Sequence, residues 1–134
     1  VTRYLLDTNI LSALVRSPRG LVAEQLRRVW ESGVYTSVIV AAELRFGAAR
    51  KVSDRLTRQV EAVLGALPVA AWQAPNDRIY ADLRLGLEQA GTPIGANDLL
   101  IATQALADGS VLVTDNTREF ARIGGLTIEN WLRP

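Results

Sequence analysis

The sequence predicts an α/β protein: a central, mostly parallel sheet of four to five strands sandwiched between layers of helices. Short apolar runs alternate with longer segments of helical spacing along the whole chain, the pattern of parallel strands joined by helical crossovers. Glycines and turn residues at Gly33, Gly65, Gly91 and Asp108-Gly109 punctuate these segments. At 134 residues, 49% apolar and 22% charged, the chain suits a single domain over residues 1–134, one large enough to bury roughly two-thirds of its unfolded surface. No repeat, low-complexity tract or long linker divides it.

Residues 3–6 (RYLL) form a short buried strand that ends at Asp7. Asn9 to Val15 begins a helix that breaks near Ser17-Pro18, and Leu21, Val22, Leu26, Val29 and Trp30 repeat at helical spacing through residue 32, where Gly33 stops them. Val34-Tyr35-Thr36 is the second strand. Ser37 is a good N-cap for a helix carrying Val40, Glu43, Leu44 and Gly47. Another helix spans Ser53 to Leu64, and Leu67 to Ala70 is a third strand despite Pro68. Pro75 to Ala90 is helical, with Ile79, Leu83, Leu87 and Ala90 on one face. After the Thr92-Pro93 turn a helix runs from Ala96 to Ala107. Ser110 to Thr114 is the clearest strand, and Leu126-Thr127-Ile128 forms an edge strand before Trp131.

Composition narrows the chemistry. Without cysteine or histidine, disulfides, thiolate catalysis, imidazole acid–base work and sulfur-ligated zinc are excluded. Carboxylate, hydroxyl, Lys and Arg chemistry remain, and any metal is a hard, oxygen-preferring ion such as Mg2+ or Mn2+. The net charge of +1 supplies no global field towards nucleic acid. Fourteen of the fifteen basic residues are Arg, whose planar fork suits phosphate, although codon usage gives the same bias. The chain has neither a run of the roughly 20 apolar residues needed to span a bilayer nor a signal peptide at its first residues, so a cytoplasmic location and no membrane contact are expected.

Four acidic stations stand out: Asp7 in LLDTN, Glu43 in VAAELRFG, Asp98 in GANDLLIA, and Asp115 with Asn116 in VLVTDNTREF. A charge beside a core costs several kcal/mol unless it is paired, solvated or metal-bound. In an open parallel sheet, Asp7 and Asp115 would both lie at the carboxyl ends of strands, where ligand crevices form. Asp98 falls in a first helical turn, and Glu43 lies within a helix among Val40, Ala41, Ala42 and Leu44. Each has a plain structural alternative. Asp7 and Asp98 could be helix caps, Glu43 a surface acid, and Asp115-Asn116 a turn. All four together favour one divalent-cation site, because clustered carboxylates repel and a dication relieves this while activating water.

These motifs, with IGANDLLIATQAL and LVTDNTREFARIGGLTIENW, make the chain resemble the PIN domains over nearly its full length, specifically the VapC-type toxin ribonucleases of bacterial toxin–antitoxin pairs. The resemblance implies a PIN-like α/β/α sandwich and a Mg2+- or Mn2+-dependent endoribonuclease, commonly a homodimer, silenced by a VapB-type antitoxin. It implies Asp7 and Asp98 as principal metal ligands and Glu43 as the third acid. Thr8 and Asn9 would support the first aspartate, and Thr114 would hold the final turn. Asn116 best matches the fourth site position, with Asp115 the next candidate and Glu119 one helical turn on. Arg16, Arg19, Arg45 and Arg50 are candidate RNA-phosphate contacts. The apolar helices of residues 21–64 could accept an amphipathic antitoxin helix, and the acidic pocket an inserted Arg or Lys. The competing functions are a catalytically silent interaction domain and an aspartate-nucleophile phosphotransferase, the latter disfavoured by Asn9 where a second Asp is usual.

Overall fold

The computed structural model describes residues 1–133. Its centre is β1 (Tyr4–Leu6), flanked by β2 (Val34–Ser37) and β4 (Val111–Val113), with β3 (Val69–Ala70) outside β2 and β5 (Ile128–Glu129) outside β4. All four pairings are parallel, so among the described residues the sheet has five strands and no antiparallel member. Both faces are covered, which is why β1 and β4 read as continuous apolar runs: Leu5, Leu6, Leu112 and Val113 are completely buried. The predicted edge strand sits slightly later than expected, because Ile128 pairs with Leu112 and Glu129 with Val113. Only Val69 and Ala70 of the predicted third strand pair with β2. Pro68 can accept but not donate, and its carbonyl receives the Thr36 amide at 3.0 Å.

The helices are α1 (Thr8–Arg16), α2 (Leu21–Val29), α3 (Val38–Lys51), α4 (Asp54–Gly65), α5 (Asn76–Gln89), α6 (Ala96–Asp108) and the short α7 (Thr117–Phe120). The last turn of the predicted second helix tightens into a 3-10 turn over Trp30–Ser32 before Gly33, whose φ of 97° lets the chain reverse into β2. Ser37 caps α3 by accepting the Ile39 amide at 3.0 Å, and Ser53 caps α4 by accepting the Leu56 amide at 3.1 Å. α1, α3 and α4 pack on one another, α5 packs on α6, and α3 also meets α6.

Two features aim the fold at one place. Successive connections from β1 lead to β2 and β3 on one side, whereas β4 and β5 add on the other, so the order switches direction between β1 and β4. A crevice outside the carboxyl ends of those strands is the natural ligand position in such sheets. At the far end of α6, the buried Tyr35 hydroxyl donates to Asp108 at 2.6 Å and lies 2.6 Å from the Ser110 hydroxyl, with the Arg3 guanidinium 4.3 Å above its ring. This clamp fixes α6 to the sheet, and α6 presents Asp98 at its opposite end. Among the described residues, no helix is long and apolar enough to cross a membrane.

Candidate active site

Asp7 is the first residue after β1 and the N-cap of α1, which explains its place at the sheet edge; it is only 3% exposed. Its Oδ1 accepts the Thr8 amide at 2.8 Å, and its Oδ2 accepts the Thr114 hydroxyl at 2.7 Å across the switch point. Asn9 donates to both Asp7 Oδ2 and Thr114 Oγ1 at 3.4 Å, and its Oδ1 accepts the Asp115 amide at 2.9 Å. The side chains of Asn9 and Thr114 thus stitch the exit of β1 to the exit of β4. Thr8 also reaches across to α3, where its hydroxyl donates to Glu43 Oε1 at 2.7 Å.

Asp98, in the first turn of α6, faces the same crevice. The Asn116 amide donates to Asp98 Oδ2 at 3.3 Å and to Glu119 Oε2 at 2.9 Å, while Glu119 Oε1 accepts the Gly95 amide at 3.0 Å. The structure therefore gathers Asp7, Glu43, Asp98 and Asn116. It adds Glu119, whose place one turn beyond Asn116 was the only sequence signal for it. Asp115 is not brought into this group. Its Oδ1 accepts Asn130 Nδ2 and Arg133 Nε, both at 2.9 Å, because adjacent residues of a turn point different ways.

The electrostatics match the crowding. Burial raises the Asp7 carboxyl above its usual range, and the nearby Glu43 charge adds to that despite the Thr114 and Thr8 hydrogen bonds. Burial pushes Asp98 up to about 6, helped by the charges of Asp7, Glu119 and Glu43. Glu119 moves the other way, held low by the Gly95 amide and then the Asn116 amide, so within this pair the proton favours Asp98. Asp115 is also lowered, first by Asn130.

One consequence concerns stability. The folded state holds the Asp98 proton more tightly than the unfolded chain, whose carboxyl titrates near its ordinary value of 3.8. Cation-free folded protein therefore loses stability as pH rises from about 4 to about 6. Asp98→Asn removes that contribution, so the variant's stability advantage should grow across this window and level off above it. Urea midpoints at a series of pH values in chelator measure it, and a pH-independent difference would contradict the assignment.

Carboxylate and amide oxygens form a donor set suited to a hard cation. Asp7, Glu43, Asp98 and Glu119 are the side chains that could supply it. Among the described residues, no three acidic side chains are already drawn in to hold one ion; the Asn116 side-chain amide bridges Asp98 and Glu119. The candidate phosphate contacts are all exposed. Arg45 is paired with Glu61 at 2.9 Å, Arg50 lies over the Phe46 ring, and exposed Arg16 ends α1, about 12 Å along the helix from its start. Exposed Arg19 lies beyond it in the turn to α2.

Comparison with known proteins bears on the whole chain. The PIN domain family matches residues 4–126. Ribonuclease VapC2 of Rickettsia felis is 37% identical over 130 residues, covering 96% of this chain and 97% of that protein. The tRNA(fMet)-specific endonuclease VapC of Shigella flexneri is 30% identical, with 96% and 98% covered. Among solved structures, VapBC2 from Rickettsia felis bound to a promoter DNA fragment superposes with a TM-score of 0.92 at 35% identity, covering 97% of this chain and 99% of that one. VapBC-1 from nontypeable Haemophilus influenzae gives 0.89 at 31% identity, with 98% and 99% covered. With a parallel sheet that converges its acids at the β1–β4 switch and likeness along nearly all of its length, the chain belongs to the PIN-domain family, among the VapC ribonucleases.

Proposed function

We infer that this protein is the toxin of a toxin–antitoxin pair and cleaves RNA phosphodiesters with water in a Mg2+- or Mn2+-dependent reaction. The observation that carries this is the crowding of Asp7, Glu43, Asp98 and Glu119 around one crevice, where burial first and neighbouring charges second raise the Asp7 and Asp98 carboxyls. A hard dication relieves that repulsion, and when bound it activates a water and polarises the phosphate. Asp7 and Asp98 would hold it, with Glu43 and Glu119 as further oxygen donors. The Asn116 side-chain amide would orient both carboxylates, holding Asp98 through Oδ2 and Glu119 through Oε2. Glu43, oriented by the Thr8 hydroxyl, is placed to accept a proton from the attacking water. Hydrolysis by water needs no covalent enzyme intermediate, and Asn9, tied to Asp7, Thr114 and the Asp115 amide, is a brace and not a second acid.

The test is cleavage of a structured RNA with and without chelator. Cleavage that stops in EDTA and returns with Mg2+ or Mn2+ supports this function. Cation-independent cleavage removes the metal, a phosphorylated protein favours phosphotransfer, and no reaction at all favours a silent interaction domain.

For the antitoxin, the matching surface is an apolar groove of about 320 Å³ lined by Leu14, Val15, Leu26, Trp30, Val63 and Leu67 between α1, α2 and α4. Trp30 is 52% exposed there, a large aromatic of the kind that anchors an amphipathic helix. Val63→Arg should weaken capture of a VapB-type antitoxin at least ~10-fold without altering cleavage, as titration calorimetry would show; unchanged affinity would place the antitoxin elsewhere. A homodimer has a separate candidate face. Val38, Ala42 and Phe46 lie exposed at four-residue spacing along α3, and a second copy covering that stripe would bury them.

A further inference from the structure

We propose that Asp115 and Asn130 act as a positioning clasp for the active site: the segment after β5 grips the turn that carries Asn116 and so sets the geometry in which the acids meet a cation. The proposal rests on the ribonuclease function inferred above and assigns Asp115 a different part from that of a site acid.

The 114–116 turn has two anchors. On its inner side, Thr114 Oγ1 donates to Asp7 and accepts the Asn116 amide at 3.0 Å, while Asn9 Oδ1 holds the Asp115 amide. On its outer side, the Asp115 carboxylate takes hydrogen bonds from Asn130 and Arg133. Asn130 is itself held: its Oδ1 accepts the Leu132 amide at 2.9 Å, and it stands between Glu129 of β5 and Trp131, which is 4% exposed and packed 5.6 Å from the Tyr4 ring. The outer anchor is thus set in the core through Trp131. Exposed Arg133 is the weaker half, since a surface pair contributes little, and the partly buried Asn130 bond carries the restraint. Asn116 follows Asp115 directly and spans Asp98 and Glu119, so rotation of the turn would displace the group between the two acids. Loss of a direct partner of a metal ligand, the part Asn116 plays here, typically costs about 10–100-fold in metal affinity, and the clasp acts through that residue.

Manganese binding by purified protein, followed by electron paramagnetic resonance in the absence of RNA, tests the clasp. Asp115→Ala and Asn130→Ala should each weaken Mn2+ binding about tenfold and speed hydrogen exchange at the Asn116 amide, with thermal midpoints close to wild type. Asp115→Asn retains an oxygen that accepts from Asn130, so it should restore most of the affinity. If Asp115→Asn is as impaired as Asp115→Ala, Asp115 acts by its charge and the clasp is wrong. Wild-type affinity and exchange in both alanine variants would overturn it as well, as would weakened binding explained by a general loss of fold. Wild-type protein that binds no Mn2+ would remove the metal-dependent function and the clasp together, an outcome distinct from the other three.

Discussion

Asp98→Asn is expected to reduce RNA cleavage by well over ~100-fold, the upper range for loss of an outer-shell partner, because it removes a candidate direct ligand. The same substitution should leave the fold intact and make the cation-free protein more stable. The two signs share one cause. Asp98 sits partly buried among Asp7, Glu119 and Glu43, and its carboxyl is pushed up to about 6, so at neutral pH its charge works against folding. A neutral amide of nearly the same shape relieves that repulsion and can still pair with Asn116 and Glu119. Cleavage assays and thermal unfolding in chelator, run on one preparation, give both numbers. A variant that cuts at the wild-type rate would show that Asp98 is not part of the machinery, and one that unfolds more easily would show that its charge is not a source of strain.

The largest expected effect on stability is from Phe120→Ala. Phe120 is completely buried at the end of α7, and truncating such a ring typically costs about 3–5 kcal/mol in lost transfer free energy and residual cavity. Against a total stability of roughly 5–15 kcal/mol, that is a large fraction. Urea unfolding should show a much lower midpoint with an unchanged slope. The site should suffer too, because α7 is anchored through Phe120 and carries Glu119, with Asn116 at its start. A loss under about 1 kcal/mol would mean that neighbouring side chains collapse into the space and that α7 is held by other contacts.

The sheet and most helices were legible because their signals are local. An apolar run that stops at a lone Asp marks the exit of β1, and serine caps at Ser37 and Ser53 mark the starts of α3 and α4. The less legible parts depend on contacts distant in the sequence. α7 has four residues, too few for a periodic pattern, and Glu119 joins the acids through the Asn116 side chain and the Gly95 amide, the latter 24 residues away. Whether Asp115 or Asn116 faces the crevice turns on a backbone rotation between adjacent positions, which composition does not fix. The edge strand moved to Ile128–Glu129 because register with β4 outweighs the apolar character of Leu126. The partner that Arg45 meets, Glu61, lies on the next helix, and no local signal pairs the two.

The central strand of the sheet comes almost first in the chain, and one of its two neighbours comes nearly last. Thr114, which ties that late strand to Asp7, lies 107 residues downstream of its partner. A polypeptide released at residue 110 has already made three of the strands and every helix up to α6, but its first aspartate has no hydroxyl to meet and no turn to close over it. The crevice is therefore complete only once β4 and the turn after it have joined β1, since Thr114 supplies the hydroxyl that Asp7 accepts.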